Sequence, residues 1–230
     1  MHTLSLILLY FVLVAAVIPF FLLCLLFGLR DPLLAYGRWA MKLSALILGL
    51  KPKATGLENA LRSRPCVFMA NHESFLDGPL LFMVIPLPLR VILKKSVFRL
   101  PVVGLGMRYV GFVPVDRKRV RGGVRSIEKA AALMRQKGYC YLIFPEGTRS
   151  RDGRLQPFRR GGFFLALRTG APIVPVTIRG TFKLMPRGSF FVKRGHIEVV
   201  FHPQVPVEGY DESTLPELVE KVRRAVMSAL

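Results

Sequence analysis

Within the stretch Asn71-His72-Glu73-Ser74-Phe75-Leu76-Asp77 stand an imidazole, a hydroxyl and two carboxylates, directly after the apolar run Cys66–Ala70. A carboxylate on one imidazole nitrogen fixes the tautomer and leaves the other nitrogen free to take a proton, which is the arrangement of a general base. Asp77 follows His72 by five residues, so a first helical turn that bends back brings its carboxylate to the ring. Ser74 leaves two readings open. It lies two residues from His72 with no G-x-S-x-G elbow around it, which disfavours a triad nucleophile. The spacing favours a helix cap, with Asp77 three residues on completing a loose capping box. Taken alone, the segment is equally compatible with a histidine that merely ends a strand.

It does not stand alone. Phe144-Pro145-Glu146-Gly147-Thr148-Arg149-Ser150 also follows a strand-like run, with Arg151, Arg154, Arg159 and Arg160 close behind. A glycine beside an arginine lets backbone N–H groups and a planar guanidinium approach one phosphate together. A solvated basic turn built on Asp152-Gly153-Arg154 is the competing reading. A third segment, GFVPVDR at 111–117, ends another apolar run with Asp116 and Arg117. A fourth, APIVPV at 171–176, has no ionisable group and is suited only to shaping an apolar wall.

Elements must hold these segments together. CVFMA (66–70), VIL (91–93), VGFVPV (110–115), YCYLIF (139–144), PIVPVTI (172–178) and IEVVF (197–201) read as strands, several too uniformly apolar for a sheet wetted on one face. Between them Ser74–Val84, Val120–Lys137, Arg160–Thr169 and Leu215–Leu230 read as helices. The alternation predicts an α/β fold: a mixed, largely buried sheet flanked by helices, with ligands expected where the chain leaves the strand ends.

Residues 1–50 differ. No charged residue occurs from Leu4 to Leu29, enough helix to cross a hydrocarbon core of roughly 30 Å. The start lacks the basic residues and A-x-A-like site of a secretory leader, so a retained membrane anchor is expected: a spanning helix over 4–29, bent at Pro19, and an interfacial helix over 33–50 carrying Arg38, Trp39 and Lys42. The chemistry of these segments then belongs to one domain, 51–230. Arg30, Arg38, Lys42, Lys51 and Lys53 follow the apolar run, which points the domain toward the cytoplasm from the inner or cytoplasmic membrane.

Thirty-four Lys and Arg against fourteen Asp and Glu give a net charge of +20, while 52% of residues are hydrophobic. That pairing excludes a disordered basic tail and suits anionic lipid or anionic substrates. From Arg90 to Arg125, cations such as Lys94, Lys95, Arg99, Arg108, Lys118, Arg119 and Arg121 alternate with Val97, Phe98, Leu100, Val102, Val103 and Leu105, a mixture suited to resting on a bilayer. Nucleic acid also takes such charge, but no familiar nucleic-acid module is present and none is expected as a partner. The three cysteines, Cys24, Cys66 and Cys140, sit in apolar runs without metal-like pairing, and His196 and His202 flank a strand, so no metal is expected.

The four blocks, in this order, resemble those of the 1-acylglycerol-3-phosphate acyltransferase family, within the larger glycerolipid acyltransferase group. N-H-x-x-x-x-D at 71–77 with F-P-E-G-T-R at 144–149 is a specific combination, and the resemblance covers roughly residues 52 to 205. It implies His72 as general base and Asp77 as its partner. It implies Arg117, Glu146, Gly147, Thr148 and Arg149 at the phosphate of the acceptor, and Val174 and Pro175 on the acyl or acyl-carrier side. The reaction implied is transfer of a fatty acyl chain from an acyl-CoA or acyl-carrier-protein thioester to the free hydroxyl of 1-acyl-sn-glycerol 3-phosphate, giving phosphatidate, with no cofactor and no covalent intermediate. A different acceptor (another lysophospholipid, glycerol 3-phosphate or a lyso-aminolipid) keeps the same chemistry. Two other classes are a basic membrane-associated binding protein and a hydrolase using Ser74 or Cys140. Glu146 fits a phosphate poorly, because two anions repel; it is expected to orient Arg149 or Arg117, or to bond a glycerol hydroxyl.

Overall fold

The computed structural model describes residues 2–63, 65–116 and 120–230, the side chains of 2–7, 9, 10, 13, 14, 120 and 121 excepted. In chain order the elements are α1 (His2–Leu26), α2 (Asp31–Ile47), β1 (Leu50–Thr55), α3 (Leu57–Leu61), β2 (Val67–Ala70), α4 (Asp77–Val84), β3 (Leu89–Lys94), α5 (Val103–Tyr109), β4 (Val113–Val115), α6 (Val120–Lys137), β5 (Cys140–Ile143), α7 (Gly161–Thr169), β6 (Ile173–Arg179), α8 (Thr181–Leu184), β7 (Gly195–Phe201) and α9 (Leu215–Met227). A 3-10 turn covers Lys95–Arg99 between β3 and α5.

The strands form one mixed sheet in the order β1-β7-β6-β2-β5-β3-β4. The five strands from β6 to β4 are parallel, β7 pairs antiparallel with β6, and β1 pairs parallel with β7. Successive side chains on a strand point to opposite faces, and here both faces are dry. Phe68 and Ala70 of β2 join a layer with Leu80 and Leu81 of α4. Val67 and Met69 join the other layer with Ala130 and Met134 of α6, Phe163 of α7 and Leu218 and Val222 of α9. This double covering is why β2 and β5 read as unbroken apolar runs rather than alternating ones. Each fully buried Phe or Leu contributes roughly 1.5–3 kcal/mol by leaving water, and β2, central in the sheet, is held by both layers.

Several boundaries differ from the sequence reading, each for a local reason. The run 110–115 is a strand only over its last three residues, because Gly111 turns the chain at φ +97 after α5. Helix α4 starts at Asp77 rather than Ser74, since residues 71–76 are committed to a loop held by side-chain bonds. Strand β1 and helix α5 were not expected. The anchor expectation is met only in part. The N-terminal helix forms but ends at Leu26, and among the described residues no helix is long and apolar enough to cross a membrane. The second helix runs over Asp31–Ile47 and is fastened to the body: Arg38 donates to the carbonyls of Leu87 and, at 3.4 Å, Pro86, and lies 5.4 Å over the Phe82 ring of α4.

Candidate active site

The chain leaves the C-terminal end of β2 at Asn71, whose carboxamide behaves as one more rung of the sheet. Its Nδ2 donates to the carbonyl of Ile178 on β6 at 2.8 Å, and Ile178 N–H donates to its Oδ1 at 2.7 Å. The loop is thereby fixed before His72. At its far end Asp77, the first residue of α4, turns its carboxylate back. One oxygen, Oδ2, accepts from His72 Nδ1 at 2.8 Å, from Glu73 N–H at 2.7 Å and from Ser74 N–H at 2.8 Å. Asp77 is fully buried; the His72 side chain keeps 16% of its surface exposed. The other oxygen, Oδ1, is buried without a hydrogen-bond partner among the described residues, a cost that most folds avoid outside functional sites.

With Asp77 ionised, Nδ1 carries the proton and Nε2 is the nitrogen left to accept one. The ring is clamped on its other side by Phe144, stacked at 4.0 Å with an interplanar angle of 18°. Tautomer, tilt and position are therefore all determined by residues of two neighbouring parallel strand ends, those of β2 and β5.

The loop after β5 is sewn to the first. Glu146, 3% exposed, accepts from His72 N–H on Oε1 at 2.5 Å and from Gln156 N–H on Oε2 at 2.8 Å. Ser150 N–H donates to the His72 carbonyl at 2.8 Å. Each Glu146 oxygen thus accepts from one backbone N–H group, and the residue ties the His72 segment to the loop after β5. Burial pushes the Glu146 carboxyl up to about 7 against those two bonds, and the carboxylates of Glu73 and Asp77 add to the rise. Glu73 is also raised to about 7, by burial first and then by Asp77, while a bond from Asn71 opposes the shift.

Gly147 reverses the chain at φ +74, and a Cβ there would meet Arg159 at 2.9 Å. Thr148 is exposed and Arg149 half-buried, with the Arg149 carbonyl accepting from Arg187 at 3.1 Å. Arg117 lies outside the described residues. Val174 and Pro175 are buried within β6, Val174 in the layer that includes α4. Ser74 makes the bonds of the expected loose capping box ahead of α4, its hydroxyl accepting from Leu76 N–H at 3.2 Å and its N–H donating to Asp77 at 2.8 Å. Its hydroxyl donates to the Met185 carbonyl at 2.7 Å and is fully buried, and Cys140 is buried in β5 with its sulfur 3.4 Å from that of Cys66. Neither is presented as a nucleophile. His202 is not at the surface: it is buried, 2.8 Å from the Thr177 hydroxyl.

Residues 51–179, more than half of the chain, match the family model described as acyltransferase. The chain belongs to the acyltransferase family. Among curated relatives within the family, it is 40% identical over 159 residues to the 1-acyl-sn-glycerol-3-phosphate acyltransferase BAT2, chloroplastic, of Brassica napus, covering 67% of this chain and 45% of that one. It is 30% identical over 184 residues to the human 1-acyl-sn-glycerol-3-phosphate acyltransferase alpha, covering 79% of this chain and 64% of that one. The chain thus spans less than half the length of its plant relative. The crystal structure of the 1-acyl-sn-glycerophosphate acyltransferase PlsC of Thermotoga maritima superposes with a TM-score of 0.77 at 29% identity, covering 100% of this chain and 98% of that one. The family fold, an α/β sheet flanked by helices, is the architecture found here.

Asn71, Phe144, Ser150 and Gln156 are the site residues whose roles sequence reasoning missed. Asn71 and Phe144 stood inside the quoted motifs, but a carboxamide's cross-strand partner and a ring's stacking partner depend on which strands become neighbours.

Proposed function

We propose that this acyltransferase moves a fatty acyl chain from an acyl thioester to the free hydroxyl of 1-acyl-sn-glycerol 3-phosphate, giving phosphatidate. The observation that carries the proposal is the buried Asp77 carboxylate 2.8 Å from His72 Nδ1, which leaves Nε2 as the proton acceptor beside the Glu146–Arg149 turn. Nε2 takes the hydroxyl proton as that oxygen bonds to the thioester carbonyl carbon. The carbon–sulfur bond then breaks, and the departing thiolate recovers the proton from the imidazolium, which Asp77 has stabilised meanwhile. General-base catalysis of this kind contributes about 10²–10⁴-fold. No nucleophilic side chain is needed, in keeping with the buried, bonded state of Ser74.

Arg149 and Arg117, with the N–H groups around Gly147 and Thr148, are assigned to the acceptor phosphate; Glu146 acts there only by holding the loop. An apolar cavity of about 260 Å³ adjoins the catalytic loop at Phe75 and Leu76, and extends between α2, α4 and Met185. It suits an acyl chain, with Val174 of β6 in the core layer on that side and the consecutive Pro175 directed to the other face of the sheet. Residues 1–50 are assigned to the membrane, α1 inserting and α2 joining it to the body. Exposed Leu22, Leu23, Leu25, Leu26 and Phe27, and the mixed surface of Leu100 and Leu105 with Lys94, Lys95, Arg99 and Arg108, support contact with a cytoplasm-facing bilayer.

The test is transfer by purified protein from acyl-CoA or acyl carrier protein to a panel of acceptors. Phosphatidate from 1-acylglycerol 3-phosphate is expected. Product solely from another lysophospholipid, glycerol 3-phosphate or a lyso-aminolipid contradicts the acceptor, and no transfer from folded protein contradicts the reaction.

A further inference from the structure

Two adjacent phenylalanine rings stand in water on the loop that joins α8 to β7. Phe190 is 83% exposed and Phe191 72%. The loop itself is closed by its own bonds. Gly188 reverses the chain at φ +93, Ser189 N–H donates to the Pro186 carbonyl at 3.0 Å, and the Ser189 hydroxyl donates to the Phe191 carbonyl and accepts from Phe191 N–H, both at 3.0 Å. Lys193 N–H donates to the Leu184 carbonyl at 2.9 Å. Two further bonds tie its base to the loops of the site. The Met185 carbonyl accepts from the Ser74 hydroxyl at 2.7 Å, and Arg187 donates to the Arg149 carbonyl at 3.1 Å. Phe190 also lines the apolar cavity, with Phe75 of the catalytic loop, itself 61% exposed, and Met41 and Leu48 of α2. Single exposed apolar side chains are ordinary, but a fixed aromatic pair at the rim of an apolar cavity marks an interaction surface.

The charges around the rings identify the partner. From Gly180 to Ile197 the chain has no Asp or Glu, while Lys183, Arg187, Lys193 and Arg194 all lie in that stretch and are exposed. Rings that enter the acyl region while long cations stay at the headgroups suit an anionic leaflet. We propose that the loop 186–194 inserts Phe190 and Phe191 into an anionic bilayer, a contact made by the catalytic domain and separate from residues 1–50 and from the cations around Lys94. What the contact achieves rests on the reaction proposed above. A lipid chain that leaves the leaflet beside Phe190 passes into the apolar cavity without crossing water, and the bond from Arg187 keeps the Arg149 turn next to that point of entry.

Insertion is read without turnover. Trp39 is the chain's one tryptophan, so Trp39→Phe with Phe191→Trp leaves a single reporter on the loop of the full-length protein. Its fluorescence should be quenched on reconstitution into phosphatidylcholine–phosphatidylglycerol vesicles with brominated acyl chains. Trp39→Phe with Gln136→Trp, an exposed position on α6 across the sheet from α2 and α4, should not be quenched. In turnover, Phe191→Ser, which leaves the cavity lining intact, should raise KM on the order of tenfold for acceptor presented in vesicles, the loss of one buried ring, and change it by less than about twofold for a monomeric short-chain acceptor. Melting curves check that each variant is folded. No quenching at position 191 in protein that floats with the vesicles overturns the insertion while leaving the reaction and the N-terminal helices untouched. Equal quenching in vesicles of phosphatidylcholine alone overturns the choice of an anionic surface, and an equal KM rise for both acceptors assigns the ring to the site instead. A dimer in detergent that Phe190→Ser with Phe191→Ser dissolves overturns the proposal in favour of a second copy of the chain.

Discussion

The loops after β2 and β5 leave adjacent parallel strands and are joined by shared hydrogen bonds, yet they treat their polar groups in opposite ways. After β2, Asn71, Glu73, Ser74 and Asp77 are all buried, each with a bonded polar side chain. After β5 only Glu146 and Ser150 are buried, while Thr148, Arg151, Asp152 and Arg154 face solvent and Arg149 is half-buried. Proton transfer demands a base held within tenths of an ångström, which a buried, hydrogen-bonded network supplies. Capturing a charged headgroup demands cations that reach into water and strip little solvation from themselves. Under the proposed function the two loops divide the reaction between them, with Phe144, Glu146 and Ser150 of the second also holding the His72 segment of the first.

Changing the buried loop should break this division hardest. Asp77→Asn removes the charge that holds the His72 tautomer while keeping an acceptor for the loop N–H groups. Its kcat should fall by about 10²–10⁴ with KM values near wild type, read in steady-state assays; an unchanged kcat would mean the pair does not perform the proton transfer. In the exposed loop, Arg149→Ala should raise the acceptor KM roughly 10- to 100-fold, the loss of a charged hydrogen bond, and alter kcat less. Equal effects on donor and acceptor would erase the contrast between the loops.

The smallest effect sharpens the comparison by pH. Glu73 has its carboxyl raised to about 7 from an ordinary 4.5. A carboxyl raised in the folded state lends stability that is full below its unfolded value and is lost as pH rises through its folded one. Relative to Glu73→Gln, wild type should therefore lose melting temperature between pH 4.5 and about 7. Parallel melting curves across that window would contradict the burial of this acid. No such dependence should follow from exposed Asp152, whose carboxyl is held low by the Arg154 N–H and the Ser150 hydroxyl.

What the sequence made legible follows the same line between local and distant causes. β2 and β5 were readable because two dry faces require unbroken apolar runs, and α6 and α9 because their apolar faces recur at helical spacing. β1 was not. Leu50-Lys51-Pro52-Lys53-Ala54-Thr55 is an edge strand, largely exposed, whose strand partner among the described residues is β7, far along the chain. Helix α5 hid behind two glycines, of which Gly104 is there because a Cβ would strike the Phe98 carbonyl at 2.3 Å. In the site, the His72 and Asp77 pairing was legible from five-residue spacing. The role of Glu146 was not, because its partners are backbone groups brought near by the juxtaposition of β2 and β5. A motif identifies side chains; it does not state which main chain will surround them.

The central claim is that His72, held by Asp77, is the base of a direct acyl transfer. Its most direct test is the rate of phosphatidate formation by purified His72→Ala beside wild type, with melting curves establishing that both are folded. The account predicts a loss of at least about 10²-fold with the fold retained. Activity near wild type in the folded variant would contradict it.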